Sequence, residues 1–436
     1  MIKNIYYKYI SYFLIISSIS SYFIGFLYGE NSAGAGTFTG DFVFLWRNLQ
    51  TFVNNDLSVA IGFTTNLDAE NFQSSRTPLV YIFHKLFNPF TENKIPFVRS
   101  VFAFSLLAPV LFYLCLKQKF RGIENLILIL ISCTIFLSPY FRTSAFWGLE
   151  ENFGIIFLLL SFFFLNKFLS NENKLINYYL LFLTTFLSSA CLYFDQKLAI
   201  IPLICFLQIY FSNKSAKLKI LSILFYLIFS LPYMYLISIW GNIIPVADAS
   251  SRGIGNQLYF SHLGYASTII AFYLLPIIFC KKDNILALIE RFFRSKKNYY
   301  LISIFFLYFL YLLFFYEYEN EVKLGKGFIH KSAILLFNEI FIQKIFIYIC
   351  FFISWLIILI YLENNLKNYL IMFYFFFISI IIWPIFQEYF DPLIILMVFT
   401  FFNSKLILNY KNSIFIFIYF TVFLVSVNNY YYNLLN

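Results

Sequence analysis

The polar residues of this chain gather in stretches between long apolar runs, and the longest of these, Gly29–Arg99, holds acids, arginines, a His and glycines suited to chemistry. Asp41 stands in Thr39-Gly40-Asp41-Phe42, just ahead of an amphipathic repeat. A carboxylate there can cap a helix by accepting its unpaired amides, and it can act as general base on a hydroxyl held above it. Arg76, in Ser75-Arg76-Thr77-Pro78, offers a planar fork that fits a phosphate or pyrophosphate. The same residue would also suit snorkelling to lipid headgroups. His84 is expected on the polar face of its helix. No second His follows at metal-ligand spacing, so neither a metal nor another cofactor is expected.

Later polar stretches repeat the pattern. Arg142, Lys197, Arg252, Lys326 and Lys331 each lie at or beside the end of an apolar run. Cations so placed can hold a lipid-linked phosphate and stabilise it as it departs, or simply anchor helix ends. Trp147 precedes Glu150 and Glu151, a stacking face followed by two acceptors for sugar hydroxyls. The bland reading of the two acids is a cap before the next run. Asp195 and Lys197 are placed to pair within one tight turn.

The elements that must position these residues are membrane helices. Of the 436 residues, 61% are hydrophobic, and the mean hydropathy is +0.77. A soluble chain cannot bury so much apolar surface, whereas a bilayer core about 30 Å thick takes roughly 20 apolar residues per crossing. An all-α polytopic protein with about 13 transmembrane helices is expected, forming one domain over 1–436. The spans fall near 9–28, 96–116, 125–141, 153–169, 178–194, 198–212, 220–239, 265–280, 299–316, 340–362, 369–385, 392–404 and 413–428. The first is preceded by Lys3 and Lys8 like a signal peptide, but it lacks a small-residue cleavage site and reads as a retained helix.

With the N-terminus in the cytoplasm, the basic clusters fall on the inner side, as the positive-inside bias requires. The net charge of +10 therefore reads as topology, and nucleic acid is not an expected partner. The six Cys lie within apolar runs as small core residues. The segment Asn284–Phe293 has one apolar face and is expected on the inner membrane surface.

The first extracytoplasmic loop, 29–95, is expected to carry two interfacial helices. One has Phe42, Leu45, Trp46, Leu49, Phe52 and Val53 on a single face; the other has Leu79, Val80, Phe83, Leu86 and Phe87, after Pro78. Together they would roof a cavity over the bundle.

This order of parts resembles the GT-C superfamily of integral membrane glycosyltransferases. It is similar, more loosely, to their dolichyl-phosphate-glucose-dependent α-1,2-glucosyltransferases. Asp41 matches the first-loop acid, and Ser75-Arg76-Thr77-Pro78 a turn into the second loop helix. Gly255-Asn256-Gln257-Leu258-Tyr259 matches a polar outer loop, and Glu388-Tyr389-Phe390-Asp391-Pro392 a late turn. Phe42 stands where a second acid is usual, and Glu388 where a basic residue is usual, so sugar and linkage do not carry over.

The resemblance implies transfer from a polyprenyl-phosphate-linked sugar to a glycan or lipid-linked acceptor, on the outer face of a bacterial inner membrane. Asp41 would be the base, and membrane lipids the surroundings. An O-antigen or capsule polymerase would carry its large loop late in the chain, whereas here it comes first. A lipid-linked glycan flippase or transporter would place ionisable residues near span midpoints, where these spans have almost none.

Overall fold

The computed structural model describes residues 2–33, 36–64, 77–241, 258–315, 318, 325–363, 365–403 and 405–435. Among these residues the chain is all-helical, with no strand beyond an isolated bridge between Lys281 and Leu406. Among the described residues nine helices are long and apolar enough to cross a membrane, or ten if a bent pair is one crossing. The bent pair is Asn125–Leu137 with Pro139–Phe146, turned by 68°. In the apolar interior of a bilayer only helices or closed barrels satisfy their own backbone groups, and this chain takes the first solution.

Three of the expected spans are helices too short to count among these crossings. The segments expected at 198–212 and 369–385 become Gln196–Tyr210 and Leu366–Ile381, and the segment at 392–404 shrinks to Leu393–Phe399. Seven helical residues at 1.5 Å each reach about 10 Å, a third of a bilayer core.

The chain divides into two compact units, residues 1–251 with 417–436, and residues 252–416. The first unit opens with α1 (Ile2–Leu27), whose buried stripe is Ser11, Ile15, Ser18 and Tyr22, while Tyr9, Phe13, Ile16 and Phe23 are exposed. Small polar residues inward and large apolar ones outward are what a lipid-facing helix needs, because packing, not apolarity, distinguishes the protein side. Tyr22 closes the stripe with a 2.7 Å hydrogen bond to Ser105 Oγ.

Between the first two membrane helices lie α2 (Asp41–Asn54), α3 (Leu57–Phe63) and α4 (Leu79–Phe87). They form a folded cover on α5 (Lys94–Ser105), which α6 (Leu107–Lys119) continues. After α7 (Asn125–Ser132) and α8 (Pro139–Phe146) come the long helices α9 (Glu151–Ser170) and α10 (Lys174–Phe194). The short link between α9 and α10 makes them an antiparallel pair. Next stand α11 (Ile200–Tyr210) and α12 (Ala216–Trp240).

The cover has its own core. Phe42, Leu45, Leu49 and Phe52 of α2 meet Ala60 of α3, Val80 and Tyr81 of α4, and Phe97, Val98 and Val101 of α5, with Phe153 and Phe194 beneath. The face of α2 is the expected one. That of α4 is rotated: Tyr81 and His84 are buried, whereas Leu86 and Phe87 are exposed. His84 is thus a core residue and not a polar-face one. Its ring packs edge-on against Phe97 and Phe153, and Nδ1 lies 3.1 Å from Asn88 Nδ2. Lys85 Nζ donates to the carbonyls of Phe52 (2.8 Å) and Asn55 (2.5 Å), capping the negative end of α2.

The second unit is built around α13 (Ser261–Ile278), buried along most of its length. It is followed by the amphipathic α14 (Ile285–Arg294), then α15 (Lys296–Phe315), α16 (Gly327–Leu336), α17 (Ile340–Leu362), α18 (Leu366–Ile381) and α19 (Leu393–Phe399). The last helix, α20 (Tyr410–Leu435), begins in this unit and ends in the first. On α14, Leu288 and Phe292 are buried while the charges are exposed, as its sequence predicts.

Gly264 on α13 gives a direct test of this packing, because a methyl group added there would overlap the buried Phe351 ring of α17. Overpacking a core typically costs about 1–3 kcal/mol. The helix-propensity gain of alanine over glycine returns about 1 kcal/mol. Gly264→Ala should therefore lower stability, on the order of 1–2 kcal/mol, visible as a lower unfolding temperature in detergent.

Candidate functional site

Asp41 is the first residue of α2, and Gly40 takes the cap position with no side-chain cap bond. The carboxylate is therefore in the first turn and not an N-cap, placed where the positive end of the helix dipole favours it. Phe42, directly after it, is fully buried, so the chain direction at Asp41 is fixed by the cover's core.

At the start of α9 the structure brings together acids and a cation from two hairpins. Glu151 is in the first turn, and its Oε2 accepts from Ser144 Oγ at 3.0 Å. Lys197 Nζ lies 3.7 Å from Glu151 Oε1 and 3.9 Å from Asp195 Oδ2. Asp195 Oδ1 also accepts the Lys197 backbone amide at 3.0 Å, so the turn expected to pair Asp195 with Lys197 does so. Gly154 allows this close approach: a Cβ there would press on the Leu198 and Asp195 side chains.

Glu150 and Asn152 flank this group and are almost fully buried. Glu150 occupies the cap position of α9 without a side-chain cap bond. Neither polar atom of the Asn152 amide has a hydrogen-bond partner among the described residues. A buried amide with both ends unmet costs about 1–3 kcal/mol; in the sequence Asn152 only closes the polar turn Arg142–Asn152, directly after two acids whose charge is the stronger signal.

Arg142 corrects an expectation. It is buried, not poised at a polar rim, and its guanidinium grips Glu30: Nε donates to Oε1 at 2.7 Å, and Nη2 pairs with Oε2. Nη1 donates to Phe136 O at 3.1 Å and Nη2 to Ser21 O at 2.8 Å, while the cation lies over the Tyr22 and Phe146 rings. The only sequence signal for Glu30 was its place directly after the first span.

Trp147 belongs to the same corner. Its indole N–H donates to Glu30 O at 3.0 Å, and its ring meets Phe38 edge-on at 5.3 Å. It serves to fasten the turn after α1. Arg76 and Arg252 lie outside the described residues.

The second unit holds its own cationic group. Gly325, Lys326 and Gly327 all have positive φ, and the value of 59° at Lys326 is strained for a residue with a Cβ. Such a backbone costs about 1–3 kcal/mol and persists where surrounding contacts enforce it. Here the Lys326 amide donates to Ile385 O at 2.8 Å, joining the start of α16 to the late turn that carries Gln387, Glu388 and Asp391. The side chain of Lys326 is nearly buried and lies 6.0 Å from the Tyr265 ring centre.

One turn along α16, His330 is fully buried, with Nδ1 3.0 Å from Tyr265 OH and its ring packed near Tyr318. Burial, with Lys326 and Lys331 beside it, pushes its pKa down to about 3 from the ordinary 6.5. Burial also pushes the Lys331 ammonium down and raises Tyr318 to about 12. Below about pH 6.5 the unfolded chain takes up a proton that folded His330 refuses. Stability should therefore be full above that pH and decline toward about pH 3, at up to about 1.4 kcal/mol per unit. His84, also pushed down to about 3 by burial, adds to the same decline. His330→Gln should flatten part of it when unfolding temperatures are compared at neutral and mildly acid pH.

No group of three or more potential metal ligands occurs among the described residues. No protein-family model, curated protein or solved structure matches this chain.

Proposed function

We propose that this integral membrane protein is a glycosyltransferase. It takes a sugar from a polyprenyl-phosphate donor and places it on a hydroxyl of a glycan or lipid-linked acceptor, at the outer face of a bacterial inner membrane. The supporting observation is the folded cover between the first two membrane helices, which fixes Asp41 at the head of α2 above a packed aromatic core. A spacer loop needs no such core, whereas a general base must be held within hydrogen-bond reach of its proton.

In this reading the acceptor oxygen gives its proton to Asp41 as it bonds to the anomeric carbon. The bond from that carbon to the phosphate oxygen breaks, and the electron pair leaves with the phosphate. The group formed by Glu151, Lys197 and Asp195, with Glu150 beside it, is proposed to receive sugar hydroxyls. Arg76 is a proposed cation for phosphate in the first unit, and Arg252, Lys326 and Lys331 are proposed ones in the second. The engagement of Arg142 with Glu30 leaves it a structural role, and Trp147 fastens the same turn. The shorter apolar helices are proposed to complete the crossings beyond the nine.

Analysis of lipid-linked glycans in a deletion strain tests the proposal. Glycans shortened by one sugar support it. Accumulation of single repeat units would instead mark a polymerase, and full-length glycans retained on the inner leaflet a flippase.

A further inference from the structure

The end of the second unit that carries α14 is laced together by hydrogen bonds between turns. Lys281 bridges Leu406, the Lys282 amide donates to Lys405 O at 3.2 Å, and the Ile407 amide donates to Cys280 O at 2.7 Å. Asn368, in the first turn of α18, donates through Nδ2 to Asn403 O at 3.2 Å and accepts the Asn403 amide at 2.9 Å. Asn412, at the head of α20, donates through Nδ2 to Ile407 O at 2.9 Å. Asn298 Nδ2 donates to Phe292 O at 2.7 Å, tying the start of α15 to the end of α14. The ends of several helices thus share one edge.

That edge is basic, and its charges divide into two kinds. Arg291 pairs with Asp283 at 2.8 Å and Arg294 with Glu290 at 3.4 Å, while Glu363 is taken up by the buried Lys281. Lys282, Lys296, Lys367, Lys405 and Lys411 are exposed, and none of their ammonium groups has a hydrogen bond or ion pair with any described residue. Like charges held together by the backbone repel one another unless counter-charge comes from outside the fold.

The second observation is on α14 itself. At about 100° per residue, Leu288, Phe292, Ile285, Ile289, Phe293 and Leu286 follow one another round the helix as one apolar arc of about 160°. Burial fades along that arc: Leu288 and Phe292 are buried, Ile285 and Ile289 are half-buried, and Phe293 and Leu286 are exposed. The protein covers one side of the arc and leaves the other open. Leu366 and Ile407, beside Lys367 and Lys405, are exposed as well.

We infer that this edge binds the headgroups of anionic phospholipids, with the open side of α14 lying among their upper acyl chains. An amphipathic helix seated at the interface takes this position, its apolar side in the acyl boundary and its cations at the phosphates. Clustered lysines near an anionic leaflet add attraction that a neutral leaflet does not supply. A soluble polyanion would answer the five lysines and leave Leu286 and Phe293 in water, so the apolar arc favours lipid.

The test places the full chain carrying Leu286→Cys, labelled there with bimane, in nanodiscs of phosphatidylcholine and phosphatidylglycerol at equal mole fractions. One lipid or the other carries brominated acyl chains, and the unsubstituted chain is labelled in parallel to subtract signal from its own cysteines. Bromine on either lipid should quench the label, and aqueous iodide should not. Phosphatidylglycerol should be enriched at the label roughly fivefold or more, the effect of one lysine near an anionic surface. Lys282→Gln, Lys296→Gln, Lys367→Gln, Lys405→Gln and Lys411→Gln combined should bring the ratio to about one while bromine still quenches. The pair Lys282→Gln and Lys405→Gln should fall between, and it carries the same test if the combined variant does not fold. Quenching by iodide and not by bromine would overturn the inference, as would equal enrichment of the two lipids or a preference unchanged in the variants. Loss of the preference on adding inorganic phosphate at the lipid's concentration would make this a free-phosphate site. Its loss on adding short RNA would make it a nucleic-acid face, and either result overturns the lipid assignment.

Discussion

Arg142→Met should lower stability by about 3–5 kcal/mol, the cost of leaving one charge of a buried pair without its partner. The variant strands the Glu30 carboxylate beside the carbonyl oxygens that Arg142 now satisfies. Glu30→Gln should cost less, because an amide still accepts from the guanidinium, but it leaves a buried cation under-compensated. The double variant should recover much of the loss, since replacing both members of a buried pair is often close to neutral. Thermal unfolding in detergent would show this, with a coupling well above the roughly 0.5 kcal/mol scatter of independent sites. Additive single losses would remove the pair as a stabilising unit. An Arg142 that served chiefly as a phosphate ligand would show the opposite pattern, with activity lost and stability kept.

The second large effect is on catalysis. Asp41→Asn keeps the size of the side chain and removes its basicity, so the proposed transfer should fall by roughly 10²–10⁴-fold. The helix dipole term lost with the charge is small, about 0.3–1 kcal/mol, so the variant should express and fold. Purified protein given a polyprenyl-phosphate sugar and an acceptor would report the rate. Full activity would reduce Asp41 to a first-turn charge that steadies α2.

The membrane helices and the two helices of the cover were legible because hydropathy and helical period are local signals. Phe42, Leu45, Leu49 and Phe52 face the core as their spacing predicts. The period was a weaker guide at α4, where apolar and aromatic residues surround the helix and His84, not Phe87, turned inward. Arg142 shows what spacing cannot reveal. Its partner is 112 residues away, and a cation at a helix end has the same local sequence whether it reaches a ligand or a buried carboxylate. Lys326 is similar: its left-handed backbone depends on Ile385, which is distant in the chain.

The Glu30 cluster also bears on how the protein is made. Glu30 leaves the ribosome with the first helix, yet Arg142 follows more than a hundred residues later, and Asn428, whose Nδ2 donates to Glu30 Oε1 at 3.2 Å, comes almost last. A nascent chain therefore carries an unmatched acid until Arg142 is inserted, and the amide of the final helix completes the cluster. Chains interrupted before Arg142 keep that carboxylate unpaired, so the first helix and its turn reach their final stability only once α8 has been made.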